Sequence, residues 1–157
     1  MKKIYKFLLK MNNWLLAALV FALILLSNFI FISFQYFFIN NRESNLNGNS
    51  SNIPAYQILL IIVIAPLLET AIFQSSIIKL SRVFIKNNLI VIVISSFLFG
   101  LSHYYNLSYV FRTILIGFFL SLFYTIMHKK RSSAFLRTVL LHSCWNLFTL
   151  ALSLIFK

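Results

Sequence analysis

The sequence predicts an all-α protein, a polytopic integral membrane bundle of about five transmembrane helices, and three observations carry that prediction. Hydrophobic types make up 61% of the 157 residues and charged types only 10%, whereas soluble domains hold roughly 25% charged residues. A soluble fold of this size could not keep so much Phe, Ile and Leu out of water. Apolar runs of the length that crosses a bilayer, roughly 20 residues, fill nearly the whole chain and leave no space for a separate soluble domain. The third observation is where the charge sits. Lys2, Lys3, Lys6 and Lys10 precede the first run, Lys79, Arg82 and Lys86 follow the second, and Lys129, Lys130, Arg131 and Arg137 lie between the fourth and fifth. Only Arg42, Arg112 and Lys157 fall in the alternate connections. This alternation is the positive-inside pattern of a five-span protein with a cytoplasmic N-terminus, and it explains the formal charge of +12 without nucleic acid.

Span one is expected from about Trp14 to Ile39; it is too long for a signal-peptide core and reads as an uncleaved anchor. Asn40 to Asn52 is polar, contains Glu43 and reads as an external loop. Residues 1–52 thus form an anchor with its loop, and residues 53–157 a membrane core. Span two runs from about Ala55 to Leu80 and is interrupted by Pro66 and Glu69. Span three, about Asn88 to His103, is short for a full crossing and is expected to tilt or to end inside the protein. Span four covers about Tyr109 to Met127 and span five about Phe135 to Phe156. The absence of an internal repeat gives an inverted-repeat transporter little support. The short chain, with no targeting extension, points to a bacterial plasma membrane.

The chain has two carboxylates, and Glu69 lies in the middle of an apolar run. An ionisable group there costs a few kcal/mol even on lenient scales and normally faces a partner or a wet cavity. Pro66 removes a backbone donor nearby and opens the helical ladder beside the acid. His103 ends span three four residues after Phe99, while His142 and Asn146 stand four apart in span five and share a face. Glu69 and His103 are each seventeen residues from Lys86, so a hairpin turning there sets them level. Their side chains, with those of His142 and Asn146, are expected to face one polar cavity that opens toward the cytoplasm. Taken singly, each His is as well explained by packing as by chemistry. Cys144 lies about 200° round the helix from His142, so it reads as a packing residue. Arg112 and Arg137 are expected to snorkel. A single Cys excludes multi-cysteine metal sites.

The segment Ala65-Pro66-Leu67-Leu68-Glu69-Thr70-Ala71-Ile72-Phe73-Gln74, then Phe99-Gly100-Leu101-Ser102-His103, then His142 to Asn146, resembles the CPBP intramembrane proteases, the CAAX proteases and bacteriocin-processing enzymes also called the Abi family. The resemblance covers about Ile53 to Phe148. In that family the first motif has two adjacent glutamates and then an arginine; here Glu69 matches the first glutamate, Thr70 replaces the second and Gln74 replaces the arginine. The other two motifs are intact, and Asn106 matches a softer asparagine just after the second. The resemblance implies an intramembrane endopeptidase acting on a peptide or protein at the membrane, with Glu69 and His103 activating water and His142 and Asn146 stabilising the oxyanion. A glutamate beside a histidine can remove a proton from water, and preset donors can hold the tetrahedral oxyanion. Two His and one Glu also resemble a zinc set, but Glu69 would then be a ligand with no second carboxylate left as base. A site without metal or other cofactor is therefore favoured. The alternative class is a non-catalytic membrane protein conferring immunity to, or binding, a peptide toxin.

Overall fold

The computed structural model describes residues 2–36 and 54–155. The polar stretch 40–52 with Glu43, and the far ends of the first and fifth spans, lie outside the described residues. The described residues form six helices: α1 (Lys2–Lys10), α2 (Asn13–Phe34), α3 (Ala55–Phe84), α4 (Asn88–Leu101), α5 (Leu107–Lys129) and α6 (Ala134–Ile155). Among the described residues there is no strand. Four helices, α2, α3, α5 and α6, are long and apolar enough to cross a membrane, whereas α4 has 14 residues.

The lysine-rich start is itself helical. Tyr5, Leu8 and Leu9 of α1 pack on the core while Lys3, Lys6 and Lys10 stay exposed, an amphipathic arrangement suited to a membrane surface. Asn12 caps α2 by accepting from the Trp14 amide at 2.8 Å. One face of α2, Leu16, Val20, Ile24 and Asn28, is buried, Ala17, Phe21 and Leu25 pack partly against the core, and Leu15, Leu26, Phe29 and Ile30 remain exposed, as lipid contact requires. The central helix is α5, whose Leu120, Phe123 and Met127 join Leu16, Val20, Phe99 and Trp145 in one core.

Two ends of the bundle can be told apart. At one, Asn13 Nδ2 donates to Ser132 Oγ at 3.0 Å, and Lys130 Nζ to the Met11 carbonyl at 2.5 Å. Ile78, Ile85 and Val91 pack there with Tyr124, Ala134 and Phe135, so the α3–α4 turn lies at this same basic end. At the other, Gln35 hydrogen-bonds Ser108, and Arg112 Nε donates to the buried Asn28 Oδ1 at 2.5 Å. Arg112 therefore turns inward to an amide instead of snorkelling. Arg137 does not extend freely either: its guanidinium lies 5.1 Å from the centre of the Trp14 ring.

Two close approaches fix α4 on α5. A Cβ on Gly100 would come within 2.9 Å of the Ile114 backbone nitrogen, and one on Gly117 within 2.7 Å of the Phe99 ring. Neither position has room for a side chain. Small residues of this kind let transmembrane backbones meet, and here they set the depth of Phe99, on which the site is built.

Candidate active site

Helix α3 is not uniformly α-helical. Wider π-helical turns cover Leu60–Ile64 and Thr70–Ile77, and a single α-helical turn, Ala65–Glu69, lies between them. Such turns are rare and concentrate at functional positions. Pro66 explains the first. In the π register the Ala65 amide bonds the Leu60 carbonyl, so residue 66 would serve the Ile61 carbonyl, and proline has no donor to give. Asn146 Nδ2 supplies it from α6, at 2.9 Å. In the second π segment the Phe73 carbonyl accepts Ser95 Oγ from α4 at 2.9 Å, and Ser95 Oγ pairs with Ser121 Oγ of α5 at 2.8 Å. Backbone groups loosened around Glu69 are thus satisfied by two neighbouring helices, α6 and α4, with α5 holding the Ser95 hydroxyl in place, as an apolar surrounding demands.

Glu69 meets both histidines. His103 Nε2 lies 3.8 Å from Glu69 Oε1, and His142 Nε2 lies 3.5 Å from Glu69 Oε2, so each oxygen of the carboxylate faces its own imidazole. His103 is oriented from behind: its Nδ1 is 2.8 Å from the Phe99 carbonyl and 3.1 Å from Ser102 Oγ. A carbonyl only accepts, so Nδ1 donates, and in the neutral ring Nε2 presents its lone pair to Glu69. The Phe99 ring touches both imidazoles, with centroids 4.7 Å from His103 and 5.7 Å from His142, and fixes their separation. His142 is almost fully buried, and its Nδ1 has no hydrogen-bond partner among the described residues.

Asn146 is placed differently. It stands one turn beyond His142 on the same face, but its amide is held by Ile61, and one of its two N–H groups is left for other work. Asn106 caps α5 by accepting from the Tyr109 amide at 2.7 Å, an architectural part that brings the Tyr109 ring to 5.9 Å from His103. Thr70 and Gln74 are fully buried, and their polar side-chain atoms find no hydrogen-bond partner among the described residues. Sequence reasoning missed Ser102 and the carbonyl of Phe99; a hydroxyl directly before the histidine was the available signal. Cys144 is exposed and lies away from the centre.

The accessible side of the trio faces away from the basic end. Toward the basic end the trio is sealed by buried Gln74, Ser95, Ser121, Tyr124 and Thr125. Its partly exposed members, Glu69 and His103 with side chains at 24% and 17%, lie instead at the C-terminal end of α4, opposite Lys86. The cause is the length of α4, which stops level with the carboxylate. Among the described residues no group of three or more His, Cys, Asp or Glu is spaced to hold a metal ion.

The fold and the site together describe an apolar helical bundle, with helices long enough to cross a membrane, that sets one glutamate between two histidines. The family described as type II CAAX prenyl endopeptidase Rce1-like matches residues 51–148, more than half of the chain. The chain belongs to this family of CAAX proteases. No curated protein and no solved structure matches it. Family membership supports protease activity on peptide or protein substrates at the membrane, and the apolar helices make the protein an integral membrane protein.

Proposed function

We propose that the protein is a glutamate-type intramembrane endopeptidase in which Glu69 and His103 remove a proton from water, and His142 with Asn146 holds the developing oxyanion. The observation that carries this reading is the pair of distances from Glu69 to the two imidazoles, 3.8 and 3.5 Å. Both exceed a direct hydrogen bond, so the carboxylate is locked to neither ring and keeps lone pairs for a water held beside it. The hydroxide adds to the scissile carbonyl carbon; the proton taken up by the Glu69–His103 pair then passes to the leaving amine as the C–N bond breaks. An Nε2–H on His142 and the free N–H of Asn146 donate to the oxyanion. Residues 53–157 form the catalytic core in this reading, and residues 1–52 an anchor. The reaction requires no metal.

Reconstituted protein is expected to cleave a membrane-bound peptide, with a prenylated CAAX peptide as first probe, at the same rate with and without a strong zinc chelator. Mass spectrometry of the products reads the result. Loss of cleavage on chelation rejects the metal-free mechanism, and protection of cells from a peptide toxin without any cleavage favours the immunity reading.

The basic end belongs in the cytoplasm, supported by its share of Lys and Arg, and the trio then opens to the outer half of the membrane. In a Cys144→Ser background, an impermeant thiol reagent on intact bacteria is expected to label Tyr104→Cys and to spare Lys10→Cys and Lys130→Cys. Equal labelling of Tyr104→Cys and Lys130→Cys overturns the orientation.

A further inference from the structure

Away from the trio, α2, α5 and α6 enclose an apolar groove of about 430 Å3, lined by none of Glu69, His103 and His142. Ala17, Ala18 and Ala22 form its α2 wall and Leu140 and Cys144 its α6 wall. Small residues normally draw transmembrane helices together. Here Phe21 bridges α2 to Trp145 and Phe148 by edge contacts at 6.1 and 5.8 Å, and the alanines below it leave the groove open.

The groove runs to the basic end, where Asn13, Trp14 and Arg137 close it. Asn13 is committed to Ser132 and the Trp14 ring to the Arg137 guanidinium. Arg137 Nε is buried and has no hydrogen-bond partner among the described residues. Among the described residues no carboxylate pairs with Arg137: Glu69 is taken up by the imidazoles. The guanidinium carbon lies over the Trp14 ring, and a guanidinium can offer parallel N–H donors to an oxyanion. The N-terminal turn of α6, which begins at Ala134, adds partial positive charge beside it.

We propose that this groove binds an anionic phospholipid, with an acyl chain along the alanine wall of α2 and the phosphate at Arg137. The apolar groove selects a chain, and the uncompensated cation selects the net negative headgroup.

Trp14 reports on the site. In vesicles of mixed phosphatidylglycerol and phosphatidylcholine, a Trp145→Phe protein is expected to be quenched more by brominated phosphatidylglycerol than by brominated phosphatidylcholine at equal mole fraction. The apparent preference should be about fivefold, the size expected for one Arg near an anionic headgroup. Arg137→Gln and Ala18→Phe, the first removing the charge and the second filling the groove, are each expected to abolish it, while Lys10→Gln leaves it in place. Helix content measured on each variant confirms that it folds. Equal quenching by the two lipids overturns the proposal, as does a preference that survives both Arg137→Gln and Ala18→Phe and falls only with added salt.

Discussion

Glu69→Gln is expected to lower peptide cleavage by about 10² to 10⁴, the range that general acid–base catalysis contributes, with little change in thermal stability. Gln keeps the length of Glu and its hydrogen-bonding capacity, so contacts with His103 Nε2 and His142 Nε2 can be replaced in kind. What it cannot do is accept a proton from water. Turnover per folded molecule, measured in liposomes beside the melting temperature, separates the two effects. Full activity in Glu69→Gln at normal expression would eliminate the glutamate base and favour a binding protein. Cys144→Ser serves as the control: the thiol is exposed and remote, and turnover should stay at the wild-type level.

Asn146→Ala is expected to lower turnover by about 10² to 10³, the usual consequence of losing one oxyanion donor. This substitution also deprives the Ile61 carbonyl of its partner. Interhelical hydrogen bonds in membranes average about 0.6 kcal/mol and reach about 1.7, so a measurable fall in stability should accompany the kinetic loss. A purely structural Asn146 would give the stability loss with a change in turnover below about tenfold, and that result would remove it from the mechanism.

Much of the arrangement around Glu69 was legible in the sequence because it depends on counting. The equal spacing of Glu69 and His103 from Lys86 predicted that they lie level, and the α3–α4 hairpin brings them to 3.8 Å. The spans were legible because uncharged apolar runs have few alternatives in lipid. Pairings across the bundle were not. That Arg112 turns to Asn28, 84 positions away, depends on the rotation of α2 against α5, which no local pattern encodes. Pro66 signalled a broken ladder, but that Asn146 of α6 supplies the donor missing at the Ile61 carbonyl depends on how α3 packs on α6. The accessible side of the trio was not legible for a related reason: charge tells which end is basic, and only packing tells which end is sealed.

The shortness of α4 bears on the membrane itself. Fourteen residues rise about 21 Å, some 9 Å less than a hydrocarbon core of about 30 Å. Hydrophobic mismatch of that size is met by local thinning of the bilayer, at a fraction of a kcal/mol per Å. Tyr104 and Tyr105, at 85% and 83% exposure, stand just past the end of α4, and such amphipathic rings settle at headgroup level. The expected consequence is a leaflet dimpled toward His103, with water and headgroups descending to the carboxylate instead of a substrate being lifted out of lipid. Cleavage should then depend on acyl-chain length, being fastest in thin bilayers and slowing as longer chains make the dimple more costly; a rate indifferent to chain length in matched liposomes would show that the membrane stays flat there.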